Sequence, residues 1–433
     1  MIKFGGMLPP RRKNTAGGAP EAIPLPLEVK LPMSMHCGTP ANPVVKTGDL
    51  VKVGQVIGEA AGAVSLPVHA SVSGTVKSID TIDTLTGERT VAVTITSDGS
   101  QTLWEGIAPP PQITDCAAFL KAVKNSGLVE PGGCPAVCEL TLENFNTLDY
   151  ILVNGLESEP YVSSGAMADQ AEYVWEGVRL LKAYLNPRKL IICIGKNKPQ
   201  DVKKMKALSS AFIDVEVCAL SPEYPQGHKN VLVHTVTGQV VPEGGRPADI
   251  GCIVISCATV AAIAEYVKTG KPLVSMSVTV DGSAVKEPKY LIAPIGTPVS
   301  ALFDYCGGLK DDVKKITLGG PMTGAAIPSA NIPIVKTTSA VLAFSGKTAA
   351  PPEALGCIKC GRCVKSCPMR LLPPYIENAF ELKKTEQLRK YKADMCAVCG
   401  CCTYVCPSKR PLTQVMTLAK SIVEKMSEKK EAE

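Results

Sequence analysis

The sequence predicts a multidomain protein in which β and α/β domains precede a cysteine-rich, α-rich domain at the C-terminal end. The chain has 433 residues, more than a single hydrophobic core usually spans. Its apolar pattern changes from short alternating strands to alternating strands and helices, and then back to short strands. Eight of the 18 cysteines fall into two blocks with one common spacing.

Charge and hydropathy argue against two classes of function. The formal net charge is only +6, and the basic residues are scattered among acidic ones rather than clustered with aromatic residues. We therefore expect no nucleic-acid partner. The longest uncharged apolar run, between Asp249 and Glu265, is shorter than the roughly 20 residues that span a bilayer. We therefore expect no transmembrane segment.

Residues 1–26 are predicted to form an extended segment, and residues 27–98 a barrel-sandwich domain. Over residues 44–58, apolar and polar residues alternate around two glycine turns, which resembles the small β-sandwich of lipoyl and biotinyl carrier domains. Such carriers modify a lysine at a hairpin tip, but residues 67–71 contain no lysine. We expect this lipoyl-like domain to have a structural or docking role.

Residues 112–270 are predicted to form a Rossmann-like parallel α/β domain. Three apolar runs, 150–154, 190–195 and 252–256, are typical of buried strands, and helical patterns lie between them. Parallel sheets bind ligands at the carboxyl ends of their strands. Residues 154–161 follow the first strand directly and contain a close pair of glutamates, so they are a candidate site. A solvated turn is the alternative interpretation.

Residues 271–346 return to short strands and glycine turns. This segment resembles a soluble-ligand-binding β-grasp (SLBB-like) module. Residues 347–354 are rich in proline and alanine and are predicted to be a linker into the last domain.

The two cysteine blocks, 357–368 and 396–407, both have the spacing C-x2-C-x2-C-x3-C-P. Bacterial two-cluster ferredoxins use this spacing, and the fourth cysteine of each block binds the other [4Fe–4S] cluster. A pair of zinc sites or a [3Fe–4S] variant is the alternative, but zinc would leave half of these thiols unused. Cys401 lies outside the spacing and is predicted to be a bystander. The predicted ligands are Cys357, Cys360, Cys363 and Cys406 for one cluster, and Cys396, Cys399, Cys402 and Cys367 for the other.

We therefore predict a two-cluster ferredoxin domain at residues 347–415 and a helical charged tail at residues 416–433. A short helix is expected within 371–392, and an amphipathic helix from Leu412 onward. Disulfide scaffolds are usually short and secreted, and no secretory signal is visible here. Metal-bound thiols in a reducing cytoplasm are the better interpretation.

Several short motifs accompany this order of domains. They are HCGTP (36–40), NGLESEPY (154–161), YPQGH (224–228), PEGGRPAD (242–249), GGPM (319–322) and CPSKRPL (406–412). Together they resemble the C subunit of the Rnf electron-transport complex, the RnfC family, including the Rnf-C-like protein associated with D-proline reductase. The resemblance covers nearly the whole chain. Its middle domain is similar to the flavin-bearing NADH-oxidising subunit of respiratory complex I.

This resemblance implies an NADH-dependent oxidoreductase that passes electrons from NADH, through FMN and the two clusters, to a protein acceptor. The acceptor would be either the Rnf complex or a soluble reductase such as D-proline reductase. The chain would then be cytoplasmic, or peripheral on the cytoplasmic face of the membrane. The cofactor-binding residues that the resemblance implies are Gly132, Gly133, Asn154, Glu157 and Glu159.

The glycine loop departs from the family pattern, which ends in Gly-x-Phe-Pro-Thr. Residues 127–138 keep the glycine pair but are shorter, lack the aromatic residue, and contain Pro131, which has no backbone donor. Cys134 and Cys138 stand in this loop as a C-x3-C pair. They are candidates for a catalytic redox dithiol, and two small buried residues are the alternative. A second function is therefore open: a flavin-free iron–sulfur relay or docking protein that accepts electrons from another protein.

Overall fold

The computed structural model describes residues 5–84, 87–141, 147–156, 159–163, 170–350 and 352–431, without the side chains of residues 347 and 427–431. The described strands fall into four sheets, which build three of the predicted domains. None of the described helices is long and apolar enough to cross a membrane.

Two small sheets form the barrel-sandwich domain. One has the order β2-β8-β7-β4 and the other β3-β5-β6, and alternate residues of both pack into one core. His69, in the segment where carrier domains hold a lysine, is buried. The strands are β2 (Glu28–Pro32), β3 (Asn42–Pro43), β4 (Leu50–Val51), β5 (Val56–Glu59), β6 (Val68–His69), β7 (Gly74–Asp83) and β8 (Arg89–Ser97).

The α/β domain contains a four-stranded parallel sheet of the order β11-β10-β9-β12. Its strands are apolar along their length because helices cover both faces. The strand order reverses at β9, so the ligand-binding crevice is expected where β9 and β12 end. The strands are β9 (Tyr150–Gly155), β10 (Lys189–Gly195), β11 (Val215–Leu220) and β12 (Cys252–Ser256).

Among the described residues, six helices and a short 3-10 helix, Pro247–Ile250, accompany this sheet. The helices are α1 (Cys116–Asn125), α2 (Ala136–Leu140), α3 (Ala171–Leu185), α4 (Pro199–Ser209), α5 (Lys229–Thr237) and α6 (Cys257–Thr269).

The β-grasp domain has a mixed six-stranded sheet of the order β1-β14-β13-β17-β15-β16, with helix α7 (Val299–Tyr305) against it. Strand β1 comes from the N-terminal segment and pairs with β14 in parallel, so that segment is part of this sheet. Helix α8 (Gly346–Ala349) closes the domain, and Ala349 packs beside Phe344. The strands are β1 (Glu21–Ala22), β13 (Ser275–Asp281), β14 (Lys289–Pro294), β15 (Val313–Leu318), β16 (Ala325–Ile327) and β17 (Ala340–Ser345).

The C-terminal domain is helical. The pattern within 371–392 forms two helices rather than one, because Lys383 adopts a left-handed conformation between them. The last helix buries Met416, Ala419 and Val423 in the core of the cysteine-rich domain, so the expected boundary after residue 415 falls inside a packed helix. The helices are α9 (Arg362–Ser366), α10 (Pro373–Glu381), α11 (Thr385–Lys390), the 3-10 helix Ala393–Met395, α12 (Cys401–Tyr404) and α13 (Leu412–Glu431).

Candidate functional site

The two cysteine blocks fold into loops with the same local geometry. In each loop, the residue before the second cysteine and the glycine after it are left-handed: Lys359 and Gly361 have φ of 55° and 71°, and Val398 and Gly400 have φ of 48° and 80°. Such conformations are uncommon for residues other than glycine. They bend the chain tightly enough for successive thiols to turn toward one point.

Four of the predicted ligands face a single enclosed cavity. It is walled by apolar side chains that include Met369, Pro373 and Met416. Cys367 comes from the first block and the other three thiols from the second, as the exchange of fourth cysteines between blocks requires. The four cysteines are Cys367, Cys396, Cys399 and Cys402.

The other four predicted ligands lie on the outer side of the domain. Cys363 is buried and lies near Cys357 and Cys406. Cys357 and Cys360 are exposed. Cys401, the predicted bystander, is buried at the start of α12, and its thiol hydrogen-bonds with that of Cys399.

The turn formed by residues 224–228 joins the α/β domain to the Cys399 loop. The hydroxyl of Tyr224 donates to the carbonyl of Cys399 over 2.5 Å, and Tyr224 is buried. At the other end of the turn, Asn154 Nδ2 donates to the carbonyl of Gly227 over 2.9 Å. One short turn therefore connects the end of β9 with one of the two cysteine loops.

Glu159 contacts the β-grasp domain rather than standing free at the strand end. Its carboxylate accepts hydrogen bonds from the backbone N–H of Met322, over 2.9 Å, and from the hydroxyl of Thr323. The turn that holds Met322, between β15 and β16, also reaches the Cys399 loop. The Met322 carbonyl lies 2.9 Å from the position that a Cβ on Gly400 would take. Glu157, the other predicted carboxylate, lies outside the described residues.

The glycine pair keeps the loop open. Gly132 and Gly133 have φ of 106° and 94°, and nothing lies within 4 Å of the Cβ that a side chain at Gly132 would introduce. Backbone of this kind allows a ligand to approach closely. The Gly133 carbonyl accepts from the backbone N–H of Cys37 over 2.7 Å, which ties the loop to the barrel-sandwich domain.

Glu130 is a site residue that the sequence did not reveal. Its carboxylate is buried and accepts from the backbone N–H and the hydroxyl of Ser256, both over 3.1 Å, and from the side chain of Thr259. Ser256 caps the N-terminus of α6, where a phosphate group commonly binds in folds of this type. An acidic residue just before a glycine pair is the only sequence signal.

Cys134 precedes α2 and Cys138 lies within it, and both thiols lie near Cys37. Burial, together with Glu139, raises the pKa of the Cys134 thiol, and burial raises that of Cys138. Both thiols are therefore protonated near neutral pH, whereas a nucleophilic dithiol needs a lowered pKa.

Domain comparisons agree with this architecture. Paired cysteine loops that abut a parallel α/β domain define a modular electron-transfer protein of the flavin and iron–sulfur class. Family models match the RnfC barrel sandwich hybrid domain at residues 3–100, the Nuo51 FMN-binding domain at 123–265, the SLBB domain at 277–326 and a 4Fe-4S dicluster domain at 356–409.

The chain belongs to the RnfC family. It is 37% identical to the C subunit of the Na(+)-translocating ferredoxin:NAD(+) oxidoreductase complex of Acetobacterium woodii, over 85% of each chain. It is 35% identical to the proton-translocating counterpart of Clostridium ljungdahlii, over 85% of this chain and 82% of the relative. The C subunit of the ion-translocating oxidoreductase complex of Rhodobacter capsulatus is 33% identical, over 85% of this chain and 73% of the relative.

The sequence-based prediction of an electron-transfer subunit is thereby confirmed, as are its oxidoreductase class and its cofactors, FMN and [4Fe–4S] clusters. The cavity is lined by four of the predicted ligands and by Cys401, and such a set of thiols suits an iron–sulfur cluster. The fit to FMN is divided. The open glycine pair suits a flavin, but Glu130 already accepts from the N–H and the hydroxyl of Ser256, at the α6 N-terminus where a phosphate would lie.

Proposed function

We propose that the chain receives electrons at its α/β domain and releases them to a partner protein from the outer side of its cysteine-rich domain. The contact between Tyr224 and Cys399 carries this proposal, because it places one cysteine loop against the α/β domain. The loop that holds Cys357 and Cys360 faces outward. The entry side and the exit side of the domain are therefore distinct.

The two ligand sets are part of this proposal. Each set combines three cysteines of one block with the last cysteine of the other, and the enclosed cavity supports the set that contains Cys399. The sets are Cys357, Cys360, Cys363 and Cys406, and Cys367, Cys396, Cys399 and Cys402.

The test is the iron content after anaerobic reconstitution. The native chain should hold about eight iron atoms, and C360S and C399S should each lose iron. C401S is the matched control, because it also removes a cysteine from the second loop and should retain the native iron content. Retention of about eight atoms by C360S and C399S would refute the ligand sets.

The proposed FMN and NADH residues remain Gly132, Gly133, Asn154, Glu157 and Glu159. FMN, when bound, accepts two electrons from NADH and returns them singly to one-electron partners. The role of the chain is to hold the flavin at the open glycine pair and to keep Asn154 fixed through its bond to Gly227.

A flavin-free relay is the second candidate function, and Glu130 is the observation that favours it. A carboxylate that holds the donors of Ser256 leaves fewer donors for a phosphate. A relay would accept electrons from another protein and would be indifferent to NADH. Reduction of the reconstituted chain by NADH, with and without FMN, separates the two functions.

Cys134 and Cys138 remain a proposed redox pair. Oxidation of both thiols by a two-electron acceptor such as FMN would form a disulfide, with the two electrons and two protons passing to that acceptor, and reduction would restore both thiols. Mass spectrometry after mild oxidation should find them joined to each other. Oxidation products that join neither cysteine to the other would exclude the pair.

The acceptor is proposed to be either subunits of an Rnf complex or a soluble reductase such as D-proline reductase. The relatives are named as subunits of ion-translocating complexes, which supports the first choice. We place the chain in the cytoplasm or on the cytoplasmic face of the membrane, because unpaired thiols of this number suit a reducing compartment.

A further inference from the structure

The two segments that carry the predicted ligands have a one-sided charge. Residues 354–376 and 395–423 contain seven basic residues and no aspartate or glutamate. Over the whole chain the corresponding numbers are 46 basic and 40 acidic residues. The seven are Lys359, Arg362, Lys365, Arg370, Lys409, Arg410 and Lys420.

Some of this charge is used inside the domain. Arg410 forms ion pairs with Glu377 and Glu381, and Lys420 donates to the carbonyl of Cys396 over 3.1 Å. Lys359, Arg362, Lys365 and Lys409 are exposed, and within the part of the chain that the structure describes no acidic side chain pairs with any of them.

The exposed cations surround the outer cysteine set. Arg362, Lys365 and Lys409 line an open depression of about 520 Å³ whose wall also includes Tyr404 and Cys406. Lys359 lies on the outer loop itself, between Cys357 and Cys360. We call this region, with its four cations, the exit face.

Exposed apolar side chains accompany the cations. Ile358 is 67% exposed, Leu355 60% and Tyr404 47%. Apolar contacts ringed by charge are typical of protein interfaces, and complementary charge raises the rate at which such partners meet.

We propose that the exit face is the docking surface for an acidic protein electron carrier, whose carboxylates pair with Lys359, Arg362, Lys365 and Lys409. This inference rests on the proposed function, since it assigns a partner to the outer cysteine set. A concave site whose wall includes the exposed Tyr404 favours a protruding protein over a flat anionic membrane.

The cations have an alternative role: they lie near thiolates and would offset the negative charge of a ligand set. The two roles predict different results. A docking surface controls the second-order rate with an acidic partner and its dependence on salt. An internal counter-charge changes the reduction potential and leaves that salt dependence intact.

The test compares the reconstituted native chain with R362Q/K365Q/K409Q and a control of equal charge loss, K203Q/K204Q/K206Q. The control lysines are exposed on α4, in another domain. Each protein is reduced, freed of excess reductant and mixed with an oxidised acidic ferredoxin at low and high ionic strength. The cationic acceptor hexaammineruthenium(III) serves as a second probe. K365Q/K409Q is a milder variant for use if the triple variant loses iron.

The proposal predicts that the exit-face variant reacts about tenfold more slowly with the ferredoxin at low salt, with a flatter salt dependence. Its reaction with hexaammineruthenium(III) should not slow, and the control should match the native chain.

Equal ferredoxin rates for all three proteins would overturn the proposal, as would a shifted potential with unchanged salt dependence. Binding to phosphatidylglycerol vesicles is measured for the same proteins. If the exit-face variant loses the vesicle binding of the native chain but keeps its ferredoxin rate, the face is assigned to a membrane instead. Failure of the native chain to hold iron would refute the proposed function and is recognised separately.

Discussion

The carboxylate of Glu130 accepts hydrogen bonds from both the backbone N–H and the hydroxyl of Ser256. Glu130 and Ser256 are 126 positions apart in the chain. Their contact lies at the start of α6, where the parallel sheet presents its ligand-binding edge. A negative group supplied by the protein thus occupies donors that suit a negative group of a ligand.

Substitution of Glu130 should change the affinity for FMN. E130Q removes the charge, and E130A also frees the donors at Ser256, so both should bind FMN more tightly, E130A by about tenfold, or about 1.4 kcal/mol. Quenching of FMN fluorescence measures the affinity directly. E172Q, which removes an exposed carboxylate from α3, should behave like the native chain. Equal or weaker FMN binding by both variants would show that Glu130 does not compete with the phosphate.

Removal of the Tyr224 hydroxyl should weaken the junction between the α/β domain and the Cys399 loop. Y224F leaves the Cys399 carbonyl without its donor, at a cost of about 1–2 kcal/mol in the free energy of unfolding. We expect that Y224F has the native iron content and a lower Tm. We also expect that NADH reduces its clusters more slowly, as followed by the iron–sulfur absorbance. Y404F alters an exposed tyrosine of the cysteine-rich domain and should show none of these changes. An unaltered reduction rate in Y224F would mean that this junction does not govern electron entry.

The Glu159 carboxylate should stabilise the turn between Leu318 and Ala325. The Glu159 carboxylate accepts from the Met322 N–H and the Thr323 hydroxyl, and E159Q removes its negative charge. Because these hydrogen bonds become weaker, the free energy of unfolding should fall by about 1–2 kcal/mol. Urea unfolding monitors this change, and NADH titration of the same variant monitors its proposed cofactor role. A variant as stable as the native chain would contradict the structural contact.

Lys336 should make stability depend on pH. It is buried at the junction of three domains, where its Nζ donates to the carbonyls of Gly127 (2.7 Å) and Pro67 (3.2 Å). Burial lowers the pKa of Lys336 to about 7, whereas the neighbouring His69, with a pKa of about 3, stays neutral in this range.

The lowered pKa of Lys336 fixes the direction of the effect. Between about pH 7 and its ordinary value of 10.5, the unfolded chain binds more protons at this lysine, so the free energy of unfolding rises with pH. From pH 7 to pH 9 the gain should be on the order of 2 kcal/mol relative to K336M, measured by urea unfolding. Parallel pH profiles for the native chain and K336M would exclude this role for Lys336.

The sequence was sufficient to predict features that depend on local spacing. Continuous apolar runs indicate three of the four described strands of the α/β domain, β9, β10 and β12, and the spacing of the cysteines indicates the two matching loops. The contacts of Glu130 with Ser256, of Glu159 with Met322 and of Tyr224 with Cys399 join distant segments, so no local pattern marks them. The end of the cysteine-rich domain was misplaced for the same reason: the burial of Met416 depends on helices that pack against it.

The most direct test of electron entry is NADH titration of the anaerobically reconstituted chain in the presence of FMN, followed by visible absorbance. We expect bleaching of the flavin band and then of the iron–sulfur band. Clusters that form in full but show no change on addition of NADH would contradict it, and the electron donor would then have to be another protein.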